Sequence, residues 1–257
     1  MAARTHDLIG LIPAAGRALR LGRLPCSKEL LPIAVGEGAA PGVRVLADHL
    51  LASLALAGVE RAVMVIDPAK LDLPRHFGAE QAPWPRLAFV VVPGSSSVPQ
   101  TLDAAHPFVA GSAVALGFPD VLFEPADAFI RLAARREETG AEVVLGLFPA
   151  TDCRTTDMVE LAPEGRVLAV EVRPRQSRLR LAWVLALWGP EFTEFLHGAV
   201  ARLGSCGGEA QIGDVLRAGL AAGLRIDGVA FPEGRWLDVG TPASLAAALR
   251  YGGLPPA

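Results

Sequence analysis

The sequence has few cysteines, few lysines and a single tyrosine, and these shortages narrow its chemistry. Its 257 residues include three cysteines, Cys26, Cys153 and Cys206, with no C-x-x-C pair among them. An odd, widely spaced set is typical of a reducing compartment, and it predicts neither a disulfide framework nor a cysteine metal cluster. Only Lys28 and Lys70 of the 24 cationic residues are lysines. Lys28 therefore keeps a compact ammonium in a chain that otherwise uses arginine.

Basic tracts and long apolar runs are also missing. A net charge of -3 and a pI near 6.0 argue against a nucleic-acid partner. No apolar run approaches the ~18 residues of a membrane span, and the first strand is too short for a signal sequence. We therefore expect a cytoplasmic protein with no membrane partner. With 51% hydrophobic residues, the chain can bury the core of one domain spanning residues 1–257.

Short apolar runs alternate with helical patterns, which predicts an α/β fold with a mostly parallel sheet. The predicted strands are Leu8 to Ile12, Ala62 to Ile66, Leu87 to Val92, Ala113 to Gly117 and Glu142 to Phe148. The predicted helices are Val43 to Ala57, Pro125 to Thr139, Pro190 to Arg202, Glu209 to Ala222 and Thr241 to Arg250. After about residue 151, MVEL, a Pro-Glu-Gly turn and VLAVEV predict a small antiparallel extension.

The segment from Leu8 to Ile33 carries the strongest chemical signal. A buried strand runs into a turn of small residues, followed by Arg20 and Lys28. Small residues let the backbone approach an anion, and the two cations supply countercharge, so the turn predicts a phosphate site. A surface loop with exposed cations is the alternative.

Two aspartates follow apolar runs later in the chain. Asp120 follows AVALGFP, and Asp238 lies in GRWLDVGTP, where Thr241 and Pro242 predict the start of a helix. Open α/β sheets bind ligands at the carboxyl ends of their strands, where Asp120 is expected. Each aspartate alone fits a helix cap or an Asx turn equally well.

Together these segments resemble the signatures of the sugar-1-phosphate nucleotidyltransferases, the family of glucose-1-phosphate thymidylyl- and uridylyltransferases. Gly16, Arg20 and the run SKELLP match the first signature, while Ala18 and Leu19 replace its second glycine and its threonine. LGFPDVLF and WLDVGTP match the two acidic segments. The resemblance implies a Rossmann-like mixed sheet with a nucleotide-binding part at about 1–150 and a sugar-binding part at about 151–250.

The resemblance also implies roles for individual residues. Arg20 and Lys28 would be catalytic, and Asp120 and Asp238 would hold a catalytic Mg²⁺. The residues implied in nucleotide binding are Ala14, Ala15, Gly16, Gln100 and Thr101. Those implied in sugar-phosphate binding are Glu171, Arg173, Glu209 and Asp214. Helix capping explains Thr101 equally well, and a solvated helix start explains Glu209 and Asp214 equally well.

Two functions follow from these matches and departures. The first is an enzyme that transfers a nucleoside monophosphate from a nucleoside triphosphate to a sugar-1-phosphate and releases pyrophosphate. The second is a weakened regulatory relative that only binds sugar nucleotides, favoured by Ala18, Leu19, Thr101, Asp157 and Val172. The sequence specifies neither the sugar nor the base, and a homo-oligomer is possible from family habit alone. A dinucleotide-dependent oxidoreductase is disfavoured, since no G-x-G-x-x-G follows the first strand.

Overall fold

The computed structural model describes residues 8–35, 42–79, 84–95, 97–150, 152–203 and 211–249. The strands in these ranges are β1 Leu8–Ala14, β2 Pro32–Val35, β3 Gly42–Val45, β4 Arg61–Ile66, β5 Arg86–Val91, β6 Ala113–Leu116, β7 Val121–Glu124, β8 Val143–Pro149, β9 Met158–Leu161, β10 Val167–Glu171, β11 Leu181–Trp188, β12 Ile226–Ala230 and β13 Arg235–Asp238. The α-helices are α1 Asp48–Leu56, α2 Asp72–Ala79, α3 Val98–Asp103, α4 His106–Val109, α5 Ala128–Thr139, α6 Pro190–Leu203, α7 Ile212–Ala221 and α8 Pro242–Ala248.

Nine strands form one mixed sheet with the order β10-β9-β11-β6-β1-β4-β5, and β8 joins β11 to β12. The centre is parallel, since β1 pairs in parallel with β4 and β6, and β4 with β5. Strand β11 runs antiparallel to β6, β8 and β9, and β10 is antiparallel to β9. The structure therefore confirms the predicted α/β fold and its antiparallel extension.

Strand β1 is buried on both faces, as expected for a central parallel strand. Ile9 and Leu11 face one apolar layer, which helices α3, α4, α6 and α7 cover. Ile12 and Ala14 face the other, covered by α1, α2 and α5. Because both layers hold β1 in place, the turn that follows Ala14 leaves from a rigid point at the carboxyl edge of the sheet.

Helix α1 is shorter than predicted, because Val43 belongs to a strand. The segment Gly42–Val45 pairs antiparallel with β2, and Val43 is 75% exposed. The helix starts at Asp48, whose carboxylate accepts a hydrogen bond from the Val45 N–H at 3.2 Å. The spacing of apolar residues predicts Val43 on the apolar face of a helix, but pairing with β2 holds this residue in a strand, so the predicted helix start is wrong.

Several other predicted ends are close to those observed. Helix α5 begins at Ala128 instead of Pro125, and Gly140 ends it in the left-handed conformation at φ 65°. Thr241 is the N-cap of α8, and its side chain accepts from the Ser244 N–H at 3.1 Å, as predicted. The predicted start of α7 at Glu209 lies outside the described residues, and the described helix begins at Ile212.

Candidate functional site

A pair of short strands brings Asp120 and Asp238 together. Strands β7 and β13 pair antiparallel, with Asp238 opposite Val121, the residue after Asp120. The Val239 N–H donates to the Asp120 carbonyl at 2.8 Å. Two carboxylates 118 positions apart, by their numbers in the sequence, thus lie side by side near the carboxyl end of β6, where α/β sheets bind ligands.

Lys28 is held against Asp120 by the turn that carries it. Its ammonium forms a hydrogen-bonded ion pair with Asp120, and both side chains are only 15% exposed. Burial alone would lower the pKa of Lys28, but the charge and hydrogen bond of Asp120 outweigh it and raise the pKa. Lys28 is therefore a fixed cation at neutral pH.

Asp72, at the start of α2, fixes the turn that carries Lys28. Its two carboxylate oxygens accept from the Ser27 N–H at 2.7 Å and from the Ser27 hydroxyl at 2.6 Å. Burial acts to raise the pKa of Asp72, but these donors outweigh it and lower the pKa. A loop residue before the key lysine is thus tied to a helix 45 positions away.

Arg20 reaches the same carboxylate edge from the turn after β1. Its Nη2 lies 3.9 Å from Asp238 Oδ2, and its side chain is 66% exposed. Gly240 leaves room for the guanidinium, since a Cβ at that position would lie 2.7 Å from Arg20 Nη2. Burial and the neighbouring Asp120 raise the pKa of Asp238. The exposed arginine is free to rearrange around an anion.

A second ion pair, between Lys70 and Glu29, lies next to Lys28 in the same turn. Lys70 Nζ lies 2.7 Å from Glu29 Oε1, with exposures of 8% and 0% for the two side chains. Burial raises the pKa of Glu29 although Lys70 acts to lower it. Both lysines of the chain are therefore in buried ion pairs, and the pairs involve adjacent residues, Lys28 and Glu29.

Two cavities meet at Asp120. The first, named here the Gly16 cavity, has a volume of about 230 Å³ and is lined by Pro13, Ala15, Gly16, Lys28, Glu29, Ser95, Ser97, Val98, Thr101, Phe118 and Asp120. The second, the Trp183 cavity, has a volume of about 290 Å³ and is lined by Arg20, Val98, Phe118, Asp120, Val121, Thr155, Thr156, Asp157, Arg173, Trp183, Val184, Gln211, Ile212, Trp236 and Asp238. Val98, Phe118 and Asp120 belong to both walls, so two ligands bound there would meet beside the carboxylate.

The predicted nucleotide-binding residues divide between the Gly16 cavity and its surroundings. Ala15, Gly16 and Thr101 line it, whereas Ala14 is a buried strand residue and Gln100 is exposed outside the lining. Ser97, not Thr101, is the N-cap of α3. The Thr101 hydroxyl donates to the Ser97 carbonyl at 3.0 Å and lies 2.6 Å from Ser95 Oγ. Capping therefore does not explain Thr101.

The predicted sugar-phosphate residues do not all share one site. Arg173 lines the Trp183 cavity, whereas Glu171 lies in β10 outside its lining. Asp214 completes a capping box by accepting from the Gln211 N–H at 3.1 Å, and it pairs with Arg217 at 2.8 Å. This contact pattern favours the helix-start interpretation of Asp214. Glu209 lies outside the described residues.

Asp157 and Trp183 are the residues that sequence reasoning missed. Asp157 is 8% exposed and accepts from Trp183 Nε1 at 3.1 Å and from the Arg173 N–H at 3.3 Å. A sequence signal existed, since Asp157 stands where the resembled family has glycine. Trp183 and Trp188 lie in the apolar run LAWVLALW, a pattern typical of sheet packing, and only the structure places the Trp183 ring at the cavity.

The histidines that the structure describes lie outside the linings of both cavities. His49 is buried and its Nε2 accepts from the Phe123 N–H at 2.9 Å, which ties α1 to β7. Burial lowers the pKa of His49 to about 4. His106 and His197 stack at the surface with a centroid distance of 4.1 Å. His49 thus supports the strand beside Asp120 as a neutral ring.

The described residues contain neither a complete metal-binding cluster nor a membrane-spanning helix. Among the described ranges, no three His, Cys, Asp or Glu side chains form a group that could hold a metal ion by themselves. Within the same ranges, no helix is long and apolar enough to cross a membrane.

Comparisons with known proteins give the fold. No protein-family model and no curated protein sequence matches the chain. A structure from Bacillus anthracis, assigned as a glucose-1-phosphate thymidylyltransferase and solved with sucrose, is similar with a TM-score of 0.81, 17% identity and 97% of each chain covered. The inositol-1-phosphate CTP transferase of T. maritima has a TM-score of 0.74 and 16% identity over 96% of this chain and 98% of that chain. These likenesses confirm the predicted α/β nucleotidyltransferase fold.

Proposed function

We propose that the chain is a magnesium-dependent nucleotidyltransferase that joins a nucleoside monophosphate to a phosphorylated sugar or similar polyol and releases pyrophosphate. The observation that carries the proposal is the Lys28–Asp120 ion pair where the two cavities meet. A reaction between two phosphorylated substrates needs a fixed cation and a carboxylate at their contact point, and this pair supplies both.

The Gly16 cavity suits the nucleoside triphosphate. Ala15 and Gly16 bring backbone to the cavity wall after β1, and a Cβ at Gly16 would meet nothing within 4 Å, so a phosphate can approach there. The lining is confined to positions 13–120, which agrees with a nucleotide-binding part at about 1–150. Ser95, Ser97 and Thr101 would face the nucleoside.

The Trp183 cavity suits the acceptor phosphate. Arg20 and Arg173 line it, and both are exposed cations that can bind a phosphate by paired hydrogen bonds. Its lining combines residues before and after position 151, so the later part of the chain supplies most of the acceptor contacts. Arg173 adopts φ 39°, an uncommon backbone conformation for a residue with a side chain.

The residues present fit a magnesium ion. Asp120 and Asp238 are adjacent oxygen donors, and the pKa of Asp238 is raised by burial and by repulsion from Asp120, which a cation between them would relieve. Two carboxylates with phosphate oxygens and waters match the preference of Mg²⁺. When bound, the ion would neutralise charge on the phosphates.

The proposed reaction is an in-line displacement. An oxygen of the acceptor phosphate attacks the α-phosphorus, a new P–O bond forms, and the bond to the bridging oxygen breaks as pyrophosphate leaves. Lys28 would hold the α-phosphate and stabilise its developing charge, while Arg20, which lines the Trp183 cavity, would neutralise the acceptor phosphate and so reduce its repulsion from the α-phosphate. No protein nucleophile is needed, so Cys26 has no part in this scheme.

A regulatory binder remains the second candidate because of the turn itself. Ala18 adopts the left-handed conformation at φ 52°, and Leu19 is 83% exposed with no hydroxyl to offer. A methyl at position 18 limits how closely an anion can approach. Such a protein would bind nucleotide in the Gly16 cavity without turnover.

Replacing Asp238 separates the two candidates. For the enzyme, Asp238→Asn should lower pyrophosphate release at least ~100-fold, because a metal ligand and its charge are lost. Release is measured with each nucleoside triphosphate against a panel of hexose-1-phosphates in Mg²⁺. Asp152→Asn, which removes an exposed carboxylate that pairs with Arg154 at 3.0 Å, is the matched control.

The outcomes of that screen are distinct. Turnover in the wild-type chain that Asp238→Asn abolishes and Asp152→Asn retains supports the enzyme. Nucleotide binding by calorimetry without any pyrophosphate release supports the binder. Unchanged turnover in Asp238→Asn would show that Asp238 does not hold the proposed metal ion. A cytoplasmic location stays a prediction whatever the outcome of the screen.

A further inference from the structure

Asp157 is a buried carboxylate at the wall of the Trp183 cavity, and it forms no ion pair with a cation in the described part of the chain. It is 8% exposed, and its two oxygens accept one hydrogen bond each, from Trp183 Nε1 and from the Arg173 backbone N–H. Both donors are neutral. Among the described residues, no lysine, arginine or histidine forms an ion pair with it, and Arg173 acts only at longer range.

An uncompensated buried carboxylate is costly, because folding removes its hydration without supplying an opposite charge. Burial raises the pKa of Asp157 even though both N–H donors and Arg173 act to lower it. Asp214 adds further negative charge nearby. The environment of Asp157 is therefore short of one positive charge.

The chain holds this carboxylate in place instead of letting it turn to solvent. Gly213, at the start of α7, leaves room for it, since a Cβ there would lie 2.3 Å from Asp157 Oδ2. The Trp183 indole fixes one oxygen and the backbone after β10 fixes the other. Each oxygen keeps lone pairs that these two donors do not use.

We propose that Asp157 selects an acceptor that carries an ammonium group as well as its phosphate, such as an amino sugar phosphate. An ammonium supplies the missing charge and up to three hydrogen-bond donors, whereas a hydroxyl supplies a single donor and no charge. The inference rests on the proposed function for the phosphate end of the acceptor, which Arg20 and Arg173 would bind in the same cavity.

Aromatic rings beside Asp157 fit the same group. Phe118, Trp183 and Trp236 all line the Trp183 cavity, and the Phe118 and Trp183 rings lie 5.9 Å apart. Aromatic faces attract cations, most strongly at indole rings. A cavity whose lining includes a carboxylate, aromatic rings and two arginines can bind a ligand that carries both a positive and a negative group.

The test compares ligands that differ in one group. Calorimetry with the full chain measures the affinity of glucosamine-1-phosphate against glucose-1-phosphate, and of 3-, 4- and 6-amino-hexose-1-phosphates against the same neutral sugar. We expect at least one amino form to bind about tenfold or more tightly than its hydroxyl counterpart, as for hydrogen bonds to charged groups. Asp157→Asn should reduce that ratio to near one, and Glu160→Gln, an exposed change on β9, should leave it unchanged.

Each outcome decides the proposal. Equal or tighter binding of the neutral sugar phosphate in every pair would overturn it, and this result needs no variant to fold. An amine preference that survives in folded Asp157→Asn would also overturn it. Amine-selective binding without pyrophosphate release from any nucleotide would overturn the proposed function but support the ammonium site at Asp157. Turnover of neutral acceptors alone would support the proposed function but overturn the ammonium site.

Discussion

The two cavities that meet at Asp120 manage buried charge in opposite ways. In the Gly16 cavity each buried carboxylate has a lysine, Asp120 with Lys28 and Glu29 with Lys70. In the Trp183 cavity the described partners of Asp157 are two neutral N–H donors, and Asp238 lies 3.9 Å from an exposed arginine. We call the lining of the Gly16 cavity the paired wall and the lining of the Trp183 cavity the unpaired wall. The carboxylates of the paired wall are neutralised by lysines without a ligand, whereas the unpaired wall keeps a negative charge that a bound ligand would neutralise.

This difference fits the two proposed substrates. A triphosphate presents the same charged groups whatever its base, so fixed cations can be built to receive it. Acceptors differ in the groups they carry beside the phosphate, and an unpaired carboxylate discriminates among them because it is poorly solvated without the correct partner. The contrast predicts different responses of the two walls when one charge is removed.

The largest effect is expected from Lys70→Met, which breaks the paired wall. The change leaves Glu29 buried at 0% exposure without its cation. Removing one partner of a buried pair typically costs about 3–5 kcal/mol of unfolding free energy. Urea denaturation at pH 7 measures it. Glu29 follows Lys28 directly in the same turn, so a displaced Glu29 would move Lys28. We therefore expect nucleotide affinity to fall as well.

The matched control for Lys70→Met is the double variant with Glu29→Gln. Removing both charges should recover most of the lost stability, because no buried charge is then unpaired. Lower pH should also reduce the stability difference between Lys70→Met and wild type, because protonation neutralises the unpaired Glu29 of the variant. A single variant as stable as wild type at pH 7 would show that the pair does not hold this wall.

Much of the paired wall could be predicted from the sequence. Strand β1, the turn after it, Arg20 and Lys28 follow one another within the segment 8–33, so local pattern and spacing suffice. Position after an apolar run also placed Asp120 at the carboxyl end of β6. These are features of local sequence, which periodicity and turn chemistry report directly.

Long-range pairings could not be predicted in the same way. The β7–β13 pair that joins Asp120 to Asp238, and the Ser27–Asp72 contact, connect segments with no shared local pattern. Asp157 was visible only as a departure from a family glycine, because its burial depends on Trp183 and Gly213 from two other elements. For Asp214 the resemblance implied a sugar-phosphate role, while a helix start explained it equally well, and its carboxylate is seen to cap its own helix.

A smaller effect, of opposite sign, is expected from Asp157→Asn in the unpaired wall. The folded-state pKa of Asp157 is raised, chiefly by burial, so ionisation above the unfolded value of 3.8 opposes folding and stability is lost as pH rises through the folded pKa. The amide cannot ionise. Asp157→Asn keeps an acceptor for only one of the two N–H donors, and this loss does not depend on pH. Between pH 4 and pH 7 the stability difference from wild type should therefore shift in favour of the variant by up to about 1 kcal/mol.

Thermal unfolding from pH 4 to pH 8 measures that shift. Glu160→Gln, on the exposed face of β9, should follow the wild-type curve throughout. A stability difference from wild type that stays constant from pH 4 to pH 7, or shifts in favour of wild type, would mean that the carboxylate is compensated within the protein, and the contrast between the two walls would then disappear.

The smallest effect concerns the turn that both substrates would share. Ala18 adopts φ 52°, where a residue with a Cβ is strained by about 1–2 kcal/mol. Glycine relieves that strain, but the unfolded chain gains conformational entropy worth about 0.4–1 kcal/mol, so at the middle of the two ranges Ala18→Gly should stabilise the fold by about 0.8 kcal/mol. The double variant with Leu19→Thr restores backbone access and a hydroxyl. If the turn already fits the triphosphate, pyrophosphate release should not rise in this variant, and a clear rise from a low wild-type rate would identify the chain as the weakened binder.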